Sequence, residues 1–334
     1  AWGVRAAGNQ REVSAEVRER VTALVSDPSP DVRLQVVIAA RKVQGIDPLP
    51  LLCETLEYAG DDKLIPAIVW QNLHPLLEEQ SERLVALASE GAWAKGDLAA
   101  QIMPRVVERM LGRTTVDVGP VATLLKTLMG EQGNVAAAGR CLAMLAAKSQ
   151  THEIEGERLA QLRGALEPLM QTLLSGPRAN PVYREAALLA ATWNLHPGPD
   201  IVRELYASAE EPDEYRVQAV AALVAAGDEQ LLPIVSKVLS AREQHSLELR
   251  RRTLDALGRY DDPRVAAAVL TAYPKCEAEL KPPAIELLTG RPAWSKALLA
   301  AIGAKRLPAD ALNVNQVRKL LASKDAELVR QVRA

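Results

Sequence analysis

The sequence predicts an all-α chain: a superhelix of short antiparallel helix pairs stacked as repeats, running through residues 1–334 as one continuous domain. Three observations carry this expectation. Hydrophobic residues make up 48% of the 334, yet aromatics only 3%, and Phe is absent. A core of Ala, Leu and Val suits closely packed helices, where Ala and Leu have high intrinsic propensity, better than sheets that draw on β-branched and aromatic residues. Next, four stretches share one local pattern, each opening an apolar run rich in small residues after a polar or proline-rich turn: Asp31-Val-Arg33, Pro181-Val-Tyr-Arg184, Asp213-Glu-Tyr-Arg216 and Leu247-Glu-Leu-Arg250. Finally, glycine and proline breakers recur every 10 to 20 residues or so, and almost nothing between them alternates with the period of a strand.

Taken in order, residues 13–25 place Val13, Val17, Val21, Leu24 and Val25 on one stripe, the three-and-four spacing of an amphipathic helix. Ser26-Asp-Pro-Ser-Pro-Asp31 ends it and starts the next, since proline lacks the donor a helix interior needs and fits a first turn. The second helix is predicted over about 32–43, and Gly45-Ile-Asp-Pro48 stops it. The same cycle predicts about eighteen to twenty helices. Its clearest register lies late in the chain: Arg184, Arg216 and Arg250 follow one another at 32 and 34 residues. Units of that size cannot bury their own apolar faces and must stack on neighbours. Small residues in 186–191 and 219–226 permit close helix crossings, and the second helices of these units, 184–195, 216–226 and 249–259, are expected to form the concave surface. Arg184, Arg216 and Arg250 are expected to tie each unit to the carbonyls or carboxylates of the preceding turn.

Residues 91–178 are less regular, with prolines at 104, 120, 168 and 177, which predicts variant units or a change of curvature. Trp70-Gln-Asn-Leu-His-Pro75 and Trp193-Asn-Leu-His-Pro197 echo each other, each expected to close a helix with its His near the last-turn carbonyls. Trp2, Trp70, Trp93, Trp193 and Trp294 are expected mainly as core fillers in a chain without Phe, with partner anchoring as the other role for a Trp.

The sequence offers no catalytic, cofactor-binding or metal-binding residue. Cys53, Cys141 and Cys276 stand apart inside apolar segments, without CxxC or CxxCH spacing, and read as buried thiols. His74, His152, His196 and His245 are scattered, and His152-Glu153 has Gly156 where an HExxH motif needs its second His. Gly112-Arg-Thr-Thr115 and Gly130-Glu-Gln-Gly133 lack the spacing of a phosphate loop. Forty basic against 42 acidic residues give a formal charge of −2. The densest basic cluster, Arg250-Arg251-Arg252, points in three directions on a helix and reads as solvated or ion-paired rather than as a nucleic-acid footprint. No run of about 20 apolar residues predicts a membrane span. The opening Ala1-Trp-Gly-Val-Arg-Ala-Ala reads as the middle of a helix, as in a piece of something longer.

Three segments carry a family resemblance: Asp27-Pro-Ser-Pro-Asp-Val-Arg33, Leu64-Ile-Pro-Ala-Ile-Val-Trp70 and, above all, Glu286–Leu299 continuing through Leu312–Leu320. There the chain resembles the HEAT-like repeat region, an armadillo-like solenoid, of the planctomycete-type membrane-bound dehydrogenases with a PVC-type haem-binding domain. The resemblance implies a HEAT/ARM-like fold and an extracytoplasmic, periplasmic location. It also implies protein partners, namely a neighbouring β-propeller and a cytochrome c domain of the same polypeptide or an electron-transfer partner. Haem and oxidoreductase activity would then belong to those domains, and this chain, carrying no cofactor, would position or dock them. The alternative is a general HEAT-type protein–protein adaptor without redox context.

Overall fold

A computed structural model describes residues 1–113, 117–131 and 133–333. Among them are twenty α-helices, four 3₁₀ turns and no strand. Backbone contacts gather the chain into two compact units, Ala1–Ala186 and Ala187–Ala334.

The first unit contains α1 (Trp2–Gln10), α2 (Ala15–Ala23), α3 (Pro30–Ala39), α4 (Pro48–Glu57), α5 (Leu64–Leu73), α6 (Leu77–Glu90), α7 (Asp97–Leu111), α8 (Gly119–Met129), α9 (Val135–Gln150) and α10 (Gly156–Ser175). Its packing follows a rule of alternate helices. α1, α3, α5, α7 and α9 contact in succession as one row, and α4, α6, α8 and α10 as a second. Apart from α2, these helices thus pack against the helix two places along as well as against sequential neighbours such as α4 with α5 and α8 with α9, which is why a single pair could not stand alone. Local starts follow the turn chemistry: Ser14 accepts from the Val17 amide ahead of α2, Asp47 from Leu49 ahead of α4, and Pro30 and Pro48 open α3 and α4.

The stripe predicted over 13–25 differs in detail. The α-helix spans Ala15–Ala23 and tightens into a 3₁₀ turn at Leu24–Ser26; Val21 and Val25 are buried, but Val17 is exposed. The second helix runs Pro30–Ala39 rather than 32–43 because Pro30 supplies its first turn. Residues 91–178 hold α7, α9 and α10, of 15, 16 and 20 residues the longest among the described residues, together with α8 of 11 residues. Two of these, α7 and α10, carry an internal proline, Pro104 and Pro168.

α11 (Tyr183–Thr192) carries the boundary between the units. Beyond it lie α12 (Gly198–Ala207), α13 (Asp213–Ala226), α14 (Leu231–Ser240), α15 (Leu247–Leu257), α16 (Arg264–Ala272), α17 (Lys281–Leu288), α18 (Pro292–Gly303), α19 (Val314–Leu321) and α20 (Ala326–Arg333). The same rule holds in this unit: α12, α14, α16, α18 and α20 form one row, and α13, α15 and α17 another. Small residues set the spacing, as Ala187, Ala190, Ala191, Ala219 and Ala222 are fully buried. At Gly198 a Cβ would lie 2.6 Å from the Ala191 amide nitrogen and 2.7 Å from the Ala190 carbonyl carbon, so only glycine lets the start of α12 approach that closely. α13 ends at Gly227, whose φ of +66° is left-handed, and α19 begins with a reciprocal capping box between Asn313 and Gln316.

Candidate functional site

The most elaborate arrangement of polar side chains is a buried seam in the second unit, where α13 meets α15. Arg216 and Arg250 are both 1% exposed, an unusual depth for guanidinium groups. Arg216 donates from Nε to the Tyr206 carbonyl at the end of α12 (3.1 Å), from Nη1 to Asp213 (3.4 Å) and from Nη2 to Nδ1 of His245 (2.9 Å). A guanidinium only donates, so Nδ1 of His245 is the acceptor and the ring is neutral. Arg250 holds Glu277 bidentately, with Nη1 at 2.6 Å from Oε2 and Nη2 on Oε1, and its Nε donates to the Ser246 carbonyl at 3.3 Å. The Thr253 hydroxyl donates to Leu249, so the 3.0 Å bond between Tyr206 and Thr253 is donated by the phenol. Ser246, the N-cap of α15, donates its hydroxyl to Asp213.

The electrostatics follow from burial. Burial lowers the Arg216 pKa against the opposing pull of Asp213, and it lowers that of His245, with Arg216 adding to the effect. The Tyr206 phenol is pushed up by burial, and Arg250 holds the Glu277 carboxyl below its ordinary value. Nearly every donor faces an acceptor here, so the seam ties together segments far apart in sequence.

The expected ties back to the preceding turn are therefore present at Arg216 and Arg250, and both side chains also reach forward. Arg216 reaches back to Tyr206 and also forward to His245. Arg250 reaches back to the Ser246 carbonyl and forward to Glu277, just ahead of α17. Arg33 does bond back, to the Asp27 carbonyl at 2.5 Å, and Arg184 is half-buried. Of the basic triplet, Arg250 is buried and Arg252 pairs with Glu248 at 2.8 Å, so two of the three are ion-paired.

Two further ties escaped the sequence reading. The Tyr260 hydroxyl donates to the Asp228 carbonyl (2.9 Å) and the Trp294 indole to the Asp262 carbonyl (2.8 Å), each across 32 residues. The signal is an aromatic donor one repeat beyond an Asp-bearing turn, hidden because Tyr and Trp do not look alike in a sequence.

Trp93, Trp193 and Trp294 are buried, whereas Trp70 is half-buried beneath Arg105 (5.1 Å) and Trp2 is 80% exposed. The Trp-to-Pro echo does not repeat structurally. His74 stacks 5.6 Å from Trp70 and bonds the Trp70 carbonyl through its backbone amide. The His196 ring instead faces Asp200 at 3.3 Å in solvent. Burial pushes the Cys53 and Cys141 thiols up to about 12 and raises that of Cys276, so all three are poor nucleophiles. Among the described residues no three His, Cys, Asp or Glu side chains are grouped to hold a metal ion. Glu153 is occupied by Lys148 at 2.6 Å. Thr114 and Thr115 of the first glycine-marked segment, and Gln132 of the second, lie outside the described residues.

A surface groove of about 720 Å³ lies in the first unit, between the α4–α5 turn and the start of α7. Its lining combines Leu56, Pro66 and Leu98 with the charged Glu57, Asp61, Lys63 and Asp97. Asp62, also in its wall, is spent capping α5 through the Leu64 and Ile65 amides at 2.7 and 2.9 Å. A second concavity of about 350 Å³ in the other unit is bordered by Trp294, Arg291 and Lys319. No helix among the described residues is long and apolar enough to cross a membrane. No protein-family profile matches the chain, and no curated protein is significantly similar to it in sequence.

Proposed function

We propose that the chain is a non-catalytic helical-repeat scaffold that binds other proteins along the outward faces and turns of its helix rows. One observation carries the reading: in each unit the apolar faces are covered by neighbouring helices, alternate and sequential, and in the second the deepest charged groups are held by internal partners. What is left to a partner is repeated outward surface with shallow concavities at the turns. Such surfaces suit extended protein segments.

The reading is tested by pairing two measurements on the purified chain. Substitutions in the groove, such as Leu98→Glu, are expected to weaken retention of a protein partner isolated by cross-linking, with melting unchanged. A turnover by the purified chain, lost on substitution of a single carboxylate or histidine without loss of fold, refutes the non-catalytic reading.

A finer form names the repeats as HEAT-type and places the chain outside the cytoplasm, docking a propeller and a cytochrome c domain. Its support is the resemblance over 286–299 and 312–320. Coding sequence for propeller strands before Ala1 and a CxxCH motif after Ala334 is the expected finding. Flanking sequence that encodes neither leaves the general adaptor as the proposal.

A further inference from the structure

The linker between α14 and α15, residues 241–246, buries one residue only. Arg242, Glu243, Gln244 and Ser246 face solvent, Ala241 is intermediate, and His245 is 7% exposed with its ring against Arg216. Two side-chain bonds pin the linker to α13, His245 to Arg216 and Ser246 to Asp213, while Ser246 is also held to α15 by Arg250 Nε and the Leu249 amide. We propose that His245 is an acid-operated latch, whose protonation breaks the bond to Arg216 and frees the 241–246 linker from the seam between α13 and α15.

A protonated Nδ1 can no longer accept, and it would set an imidazolium 2.9 Å from a guanidinium that is itself 1% exposed. The surrounding charges offer little relief. From α13, Asp213 is already divided between Arg216 and Ser246. From α15, Arg250 adds a second buried cation, and Glu277 is bound to it through both oxygens. From α12, Tyr206 supplies only a carbonyl and a neutral phenol. On the linker itself Arg242 and Glu243 are exposed and of opposite sign. The sign of the effect follows: burial first, then Arg216, holds His245 below its ordinary value of 6.5, so the opened linker binds the proton more tightly than the closed one. Opening is favoured as pH falls below 6.5, by at most about tenfold per pH unit for one proton.

Hydrogen exchange of the amides of 241–246 and the first turn of α15, corrected for intrinsic rates, tests this at about pH 7.5 and about pH 5.5. The linker's opening constant is expected to rise several-fold, up to roughly tenfold, at the lower pH, and the His245 ring resonance to titrate below 6.5. His245→Asn presents a carbonyl oxygen to Arg216 but does not titrate, and its linker exchange is expected to be flat. Titration of His245 at or above 6.5, unchanged linker protection in the wild type, or an equal rise in the Asn variant overturns the proposal. The ring titration and wild-type exchange decide it even if the variant does not fold.

Discussion

Replacing Arg216 by Met is the sharpest probe of the seam, because Met matches much of its length while removing every donor. The native side chain, 1% exposed, satisfies the Tyr206 carbonyl, Nδ1 of His245 and part of Asp213. Each buried acceptor left without a donor costs roughly 1–3 kcal/mol. Asp213 is half-exposed and recovers solvation, so its share is small. Against this, Met contributes apolar burial and spares the desolvation of a guanidinium, which offsets part of the loss. The net expectation is a destabilisation of about 2–4 kcal/mol. At roughly 2–4 °C per kcal/mol for a unit of about 150 residues, the second unit should melt roughly 5–15 °C lower. Differential scanning calorimetry near pH 7 reads this, with partner retention measured on the same sample below the melting range. An unchanged melting temperature, or unchanged melting with weakened retention, refutes the assignment of Arg216 as an internal tie.

Glu277→Gln removes a carboxyl that Arg250 holds below its ordinary value of 4.5. The wild-type contribution is fully present above that pH and lost as pH falls through the depressed value, so the variant should be about 1–3 kcal/mol less stable at neutral pH. The difference should shrink in acid, as followed by urea melts across the range. Gly198→Ala puts a methyl 2.6 Å from the Ala191 nitrogen, and overpacking of this kind costs about 1–3 kcal/mol; denaturant titration gives the value, and a neutral result would mean α12 can shift outward. Cys53 and Cys141, their thiols raised to about 12 by burial, should resist a thiol reagent near pH 8 until denaturant is added. Rapid labelling of the native chain contradicts that burial.

Much of this architecture is legible in the chain because its elements are set by neighbours in sequence. Pro30 and Pro48 mark helix starts by geometry alone, and the Ala-rich runs at 186–191 and 219–226 announce close crossings, which the buried alanines of α11 and α13 realise. The seam was only half readable. Arg216 stands out by its place in the repeat, and its bond to Asp213 lies within one helical turn. His245 and Glu277 do not stand out, since they lie 29 and 27 residues from their partners and no short-range pattern links them. His74 and His196 show the converse failure: matching words in the sequence end in different surroundings.

By itself the sequence determined the all-helical class, the length of the repeating unit and the absence of a familiar catalytic motif, all properties of periodicity and local turn chemistry. Only the tertiary structure decided which polar groups meet: that the histidine buried against an arginine is His245, that Arg250 reaches forward to Glu277, and that Tyr260 and Trp294 share one role. The physical reason is that helix formation is governed by residues three and four apart. The partners of a buried charge are chosen by stacking, which brings side chains about thirty residues apart into one desolvated space.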